Sequence, residues 1–371
     1  MKQPSICISP IDWGLGHATR CISLMKAFEK LGYHIYIATE GYHEAILKEA
    51  IPSATFLHLR GYRIKYAKIG FLLPIVLLLQ VPQIIYSILH EYHWLKKTQK
   101  QFQFDIIISD NRFGFYHKQV PSVFITHQLN LQMHFKWVTR LFQKLVYAWL
   151  NRFTACWIPD IAGPDNLSGI LSNPPHKPSI PLWYMGCLSR LIEVTNNSEV
   201  PSAHKANGNK PSNVFLGIVS GPEPQRTLLE NLLWIAGNKL NLPFVVIAGT
   251  PNNKDAYQQT AQSFLYPHLA APALVQAIQN AEYIICRGGY TTLMELIPFR
   301  KKLIFIPTPG QTEQMYLGKL WQEKNWALCY DQEKFNLKNA LEEARQFNFK
   351  QPPFSEFSIE ALETAIKQLT L

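Results

Sequence analysis

No Cys-x-x-Cys pair, no metal-type spacing of cysteine and histidine and no Asp-x-Asp occur in this 371-residue sequence. The first two absences exclude the common structural metal sites, and the third weakens the case for a divalent cation held by paired aspartates. The six cysteines, at 7, 21, 156, 187, 286 and 329, are expected to be reduced thiols in a cytoplasmic protein. The opening residues "MKQPSICIS" lack the long apolar core of a signal peptide. An uninterrupted apolar run from Ile69 to Leu79 is 11 residues long, with a proline inside it. It is too short to span a bilayer core of ~30 Å. Aromatic residues do not interleave with Lys and Arg in a repeated stacking pattern, which argues against a nucleic-acid partner.

Acids are also missing over one long stretch. Between Glu49 and Glu91 there are none, only Arg60, Arg63, Lys65 and Lys68, followed by "FLLPIVLLLQVPQIIYSIL". The excess of positive charge belongs wholly to this half: residues 1–190 hold 20 Lys and Arg against 10 Asp and Glu, and residues 191–371 hold 16 against 16. A basic cluster beside an apolar segment lets a protein lie on an anionic membrane surface. The segment 60–89 is therefore read either as a peripheral membrane-facing surface or as a buried helix beside a solvated basic loop.

What is present is a globular composition, 47% apolar and 17% charged, in a chain long enough for two domains. In the first half, "SICIS", "HIYIAT", "ATFLHL", "FDIIISD", "PSVFITH" and "ACWIPD" read as strands separated by helical patterns. Their near-continuous apolarity fits a parallel sheet covered on both faces. The polar stretch 191–213 reads as a linker. A second alternation follows in "NVFLGIVSG", "FVVIAG", "SFLYP", "YIICRGG" and "KLIFIPTP". The fold class is α/β: two doubly wound, Rossmann-like domains, 1–190 and 214–350. A final helix over 351–371, with Ile359, Leu362, Ala365, Ile366 and Leu369 on one face, is expected to dock back on the first domain.

Strand-to-helix turns carry the chemistry. In "SPIDWGLGHATR", Gly14 and Gly16 follow the first strand and precede an amphipathic helix, an arrangement that admits an anion or simply a tight turn. His17 and Arg20, three apart, share a helix face. "CRGGYTTLMEL" repeats the device with Arg287, Gly288, Gly289, Thr291 and Thr292, and sets Glu295 to bind vicinal hydroxyls. "IPTPGQTEQ" presents the amides of Gln311 and Gln314, and "SGPEPQRT" offers Ser220, Gly221 and Arg226 to phosphates. Each turn alone is an ordinary connection, but three on one sheet edge point to a ligand.

These motifs resemble GT-B glycosyltransferases of the MurG and diacylglycerol glycosyltransferase type, over most of the chain. "CRGGYTTLMEL" matches the family's UDP-holding turn, with Glu295 in place of the ribose-binding acid. "GQTEQ" falls where that family contacts the donor sugar, through Gln314 and Gln311. "GCLSR" stands for a Gly-x-x-x-Arg at the domain junction, which implies a diphosphate role for Arg190. "SGPEP" corresponds to the phosphate loop, although its prolines remove backbone donors. "WGLGHATR" corresponds to the amino-terminal glycine loop and is equally similar to the Gly-x-Gly-His-x-x-Arg of PseG-type UDP-sugar hydrolases. "ITHQLN" resembles the acceptor loop, so that His127, Gln128 and Asn130, with Gly14 and Arg20, are expected at the acceptor.

The resemblance implies an inverting, metal-independent transferase that needs no cofactor beyond a UDP-sugar donor. Its acceptor is expected to be lipid-linked or a glycan, and its place the inner face of the cytoplasmic membrane. The base is His17 or Asp110, which ends the strand "IIISD"; Asp110 alternatively orients His17. Arg190, Arg226 and Arg287 are expected to stabilise the leaving diphosphate. The rival readings are a hydrolase in which His17 activates water, and a nucleotide-sugar binder without catalysis.

Overall fold

The computed structural model describes residues 3–64, 79–131, 136–197, 213–221, 223–250 and 257–369. The chain forms two compact units, one made of the described residues to Arg190 together with those from Pro353, the other of residues from Leu191 to Pro352.

In the first unit, β1 (Ser5–Pro10) is buried along its whole length, and Gly14, at φ 87°, turns the chain into α1 (Leu15–Lys30). The helix forms because Ile22, Met25 and Phe28 recur at helical spacing and are buried. It ends where Gly32 takes φ 81°, a left-handed conformation that costs glycine little. The helix begins before Gly16, so Gly16 and His17 belong to its first turn rather than to the loop. There follow β2 (His34–Thr39), α2 (Tyr42–Ala50), β3 (Thr55–His58), α3 (Val81–Phe102), β4 (Ile106–Asp110) and β5 (Ser122–Ile125). Then come α4 (Lys136–Leu150), β6 (Ala155–Ile158) and β7 (Leu182–Tyr184). The strands lie in the order β3-β2-β1-β4-β5-β6-β7. Every pairing is parallel.

The chain leaves this unit along α5 (Arg190–Asn197). The stretch 191–213 read as linker starts within this helix, where Leu191 and Ile192 are buried. Residues 198–212 lie outside the described ones.

The second unit contains β8 (Asn213–Ile218), α6 (Gln225–Lys239), β9 (Phe244–Ile247), β10 (Gln258–Gln259), β11 (Ser263–Tyr266), α7 (Ala271–Asn280) and β12 (Ala281–Cys286). It continues through α8 (Tyr290–Leu296), β13 (Lys302–Phe305), α9 (Thr312–Glu323), β14 (Ala327–Cys329) and α10 (Leu337–Gln346). Its sheet runs β10-β11-β9-β8-β12-β13-β14, parallel except for the β10–β11 hairpin pair. The short strands β7, β10 and β14 are not among the expected ones, because two or three residues carry too little periodicity to read.

The last helix, α11 (Ile359–Leu369), belongs to the first unit. Leu362, Ala365 and Leu369 join the core formed by Ile6, Ile8 and Phe28, and Ile359 and Ile366 pack at its margin, which is the face expected from spacing. The return is held by backbone bonds from Cys187 N–H to the Ser355 carbonyl, 2.8 Å, and from Phe357 N–H to the Cys187 carbonyl, 3.3 Å.

In each sheet the order reverses beside the first strand, between β1 and β4 and between β8 and β12. Helices leave to opposite faces there, opening a crevice at the carboxyl ends of the strands.

Candidate active site

At the first reversal point Pro10 pairs with Asp110 across β1 and β4, and the Ile11 N–H donates to the Asp110 carbonyl at 3.0 Å. This register sets the Asp110 carboxylate against the first turn of α1. Arg20 Nε donates to Asp110 Oδ2 at 2.9 Å, and Arg20 Nη2 donates to Oδ1. The Cys21 thiol donates to Oδ2 at 3.4 Å. His17 Nδ1 lies 3.3 and 3.2 Å from the two carboxylate oxygens and 3.0 Å from Arg20 Nη2. That nitrogen can donate to Asp110 or accept from Arg20, but not both at once. Arg20 Nη1 is also 3.5 Å from Nδ1 of His127, whose ring is buried.

Exposure separates these groups. Asp110 is wholly buried and Arg20 nearly so, whereas the His17 side chain keeps 18% of its surface. Burial and the Arg20 charge lower the His17 pKa from its ordinary 6.5, against the opposing pull of Asp110. Burial works to raise the Asp110 carboxyl, but Arg20 and His17 outweigh it and hold it far below the usual range. The expectation that Arg20 faces the acceptor is corrected, because its guanidinium is spent on Asp110 inside the protein. Gln128 and Asn130 follow His127 in a loop whose backbone bonds to Thr126 Oγ1 and the Leu171 carbonyl.

Two further buried groups near this edge carry no mark in the sequence. Arg112, 1% exposed, donates through Nε to Glu91 Oε1 at 2.7 Å and through Nη1 to the Pro10 carbonyl at 3.3 Å. Glu91 also accepts from Tyr62 Oη and the Gly114 N–H. His43 on α2 is buried, and its Nδ1 has no partner. On a helix of mixed composition nothing local marks such a histidine.

In the basic loop the two described cations, Arg60 and Arg63, are exposed, and Arg63 is paired. Arg63 donates to Glu40 through Nε and Nη2 at 2.8 and 2.7 Å, and that pairing pulls the Glu40 carboxyl down to about 2. The Arg60 guanidinium lies 5.7 Å from the Tyr86 ring, and Lys65 and Lys68 fall outside the described residues.

At the second reversal point Ser220 and Gly221 follow β8, and Arg287, Gly288 and Gly289 follow β12. Beyond the end of the neighbouring β13, Thr308 N–H donates to Gln314 Oε1 at 2.8 Å, while a Cβ on Gly289 would stand 3.6 Å from Gln314 Nε2. Gln314 thus braces its own turn and lies beside the Gly288–Gly289 turn. Gln311 keeps a buried Oε1 with no partner, and Thr291, Thr292 and Glu295 lie partly exposed on α8. Two expected phosphate ligands are corrected. Arg226 is held by the carboxylates of Glu223 and Glu230 and by the Ala248 carbonyl. Arg287 is fully buried and donates to the carbonyls of Ile306 and Gln225 and to Gln332 Oε1. Its burial brings its pKa down to about 10. Arg190 opens α5, partly exposed. Among the described residues no three His, Cys, Asp or Glu side chains converge on a metal position.

Residues 224–369 match the glycosyltransferase family 28 C-terminal domain. No curated protein sequence is significantly similar to the chain. Among solved structures, Arabidopsis thaliana UGT89C1 complexed with quercetin superposes with a TM-score of 0.65 at 13% identity, covering 100% of both chains. Phytolacca americana UGT2 complexed with UDP-2fluoro-glucose and pterostilbene gives 0.62 at 14%, covering 99% of this chain and 100% of that one. The spinosyn forosaminyltransferase SpnP gives 0.63 at 13%, covering 100% and 99%. Two Rossmann-like units with these strand orders, superposing end to end on such structures, give the chain the two-domain GT-B fold, with a family 28 C-terminal domain match over residues 224–369.

Proposed function

We propose that the protein is a glycosyltransferase that moves a sugar from a UDP-sugar to a hydroxyl of its acceptor, with inversion at the anomeric carbon. The observation that carries this reading is the partly exposed His17 seated 3.2 Å from the buried carboxylate of Asp110 at the reversal point of the first sheet. With its proton on Nδ1, His17 donates to Asp110, and the other ring nitrogen takes the acceptor proton as the hydroxyl attacks. Asp110 then holds the imidazolium, and Arg20 fixes Asp110. Asp110 is a positioning residue here, not the base, because its carboxylate reaches no solvent. The second unit supplies the donor site through Ser220, Gly221, Gly288, Gly289, Glu295, Gln311 and Gln314. The family 28 match over this unit and the UDP-sugar named with the Phytolacca structure support UDP as the nucleotide.

The acceptor is proposed to be lipid-linked, at the inner face of the cytoplasmic membrane. Ile85, Tyr86 and Leu89 on α3 and Leu141 and Leu145 on α4 are each about half exposed, with Arg60, Arg140 and Lys144 exposed nearby in the chain. No described helix is long and apolar enough to cross a membrane, so these faces suit attachment to its surface. A hydrolase of soluble nucleotide sugars would use the same histidine on water but has no use for such faces.

The test is turnover of a panel of UDP-sugars with and without membrane lipid extract, in the presence and absence of EDTA. Expected are UDP release that needs lipid, label entering the organic phase, and no effect of the chelator. Equal cleavage without lipid, yielding free sugar or sugar phosphate, would establish the hydrolase instead.

A further inference from the structure

Among the described residues, four buried side-chain atoms at the carboxyl ends of β9, β12 and β13 have no hydrogen-bond partner: Thr250 Oγ1, Arg287 Nε, Thr308 Oγ1 and Gln311 Oε1. Leaving a buried polar atom unpaired forfeits the hydrogen bonds it made to water, so a group of them on one edge calls for a reason. Thr308 is the most constrained. Its N–H donates to Gln314 Oε1 at 2.8 Å and its carbonyl accepts from the Gln311 N–H at 3.0 Å, so the backbone is pinned and fully used. The side chain is 5% exposed. Its hydroxyl faces Gly221, where a Cβ would stand 3.9 Å from it, and Gly221 holds φ 107°, a conformation that excludes a side chain at low cost. A hydroxyl held idle opposite a bare backbone turn is arranged for something that enters between them.

We propose that the Thr308 hydroxyl donates a hydrogen bond to the diphosphate of the bound nucleotide, opposite the Ser220–Gly221 turn. This rests on the reading of the second unit as the UDP-sugar site. The two expected arginines of that site, Arg226 and Arg287, are engaged with protein groups, and Pro224 offers no N–H. With the terminal nitrogens of both arginines engaged, the phosphate oxygens draw on neutral donors beside the one open Arg287 Nε, and Thr308 is a donor that the turn motif itself does not reveal. Gln311 Oε1 accepts only, so it suits a hydroxyl of the sugar rather than a phosphate oxygen.

The experiment is calorimetric titration of the full chain with UDP and with uridine, on wild type, Thr308→Val and Thr308→Ser. Valine keeps the shape and removes only the hydroxyl. Expected is a loss of UDP affinity of about tenfold or more in Thr308→Val, little change for uridine, and UDP binding close to wild type in Thr308→Ser. Because the hydroxyl has no partner in the free protein, Thr308→Val should melt no earlier than wild type without ligand. A hydroxyl that serves only the fold would lower that melting temperature. Equal UDP affinity in wild type and Thr308→Val, or an equal loss for UDP and uridine, overturns the assignment. Failure of wild type to bind UDP overturns the donor-site reading beneath it.

Discussion

Arg20 and Asp110, ninety residues apart in sequence, form a buried ion pair in which Nε lies 2.9 Å from Oδ2 and the guanidinium spans both carboxylate oxygens. The pair fixes α1 to the end of β4, and His17 stands on it one helical turn away.

Removing Arg20 leaves Asp110 charged, buried and unpaired. Arg20→Met should cost about 3–5 kcal/mol at neutral pH, read by chemical denaturation. The carboxyl of Asp110 is held below its unfolded value, so its contribution is complete above about pH 5 and is lost as pH falls through the unfolded value of about 3.9 towards the lower folded one. In wild type the denaturation midpoint should fall over that window, and in Arg20→Met this acid loss should shrink.

The rate should depend on His17 alone as base. His17→Ala is expected to lower kcat by about 10²–10⁴-fold while UDP still binds. Burial and Arg20 set the His17 pKa below 6.5, and the base acts when neutral, so activity should rise with pH through a midpoint below 6.5. A pH–rate profile for kcat that rises only above pH 7 would contradict this assignment.

Gly186 holds φ 75°, and a Cβ there would lie 2.8 Å from the Ser355 carbonyl. Gly186→Ala combines left-handed strain of roughly 1–2 kcal/mol with a clash against the returning chain. The expected result is faster proteolysis within the residues that follow Pro352, with a lower melting temperature.

The exposed faces of α3 and α4 contribute little to the fold but are proposed to meet lipid. Leu89→Ser and Leu145→Ser together should lower the melting temperature by no more than about 2–4 °C, since two exposed changes cost under ~1 kcal/mol together. Co-sedimentation with anionic vesicles should drop several-fold, and lipid-dependent turnover with it.

Much of this protein is legible in its amino-acid order. Continuous apolar runs such as "FDIIISD" mark strands of a parallel sheet because both faces are covered, and each glycine turn marks a carboxyl end where a helix departs. That logic locates His17, Asp110, Gly221, Gly288 and Gly289 on two sheet edges. Arg20, Arg226 and Arg287 depart from expectation for a physical reason: a charged side chain in a turn motif looks like a ligand group until the protein's own carboxylates and carbonyls are brought to it. Arg226 meets Glu230 one helical turn on, which spacing alone allows; Arg287 meets the carbonyl of Gln225, which no local pattern signals.

The sequence by itself determined the two alternations of strand and helix, the turns that bend them, and the apolar face by which α11 returns to the first core, because these depend on spacing over a few residues. Tertiary structure decided which of the candidates face a ligand. Pairing β1 with β4 buries Asp110 under Arg20 and leaves His17 at the surface, and placing β13 beside β12 sets the Thr308 hydroxyl across from Gly221 without a partner. Burial and partnering arise from strand order and register across many tens of residues, and local periodicity carries no record of them.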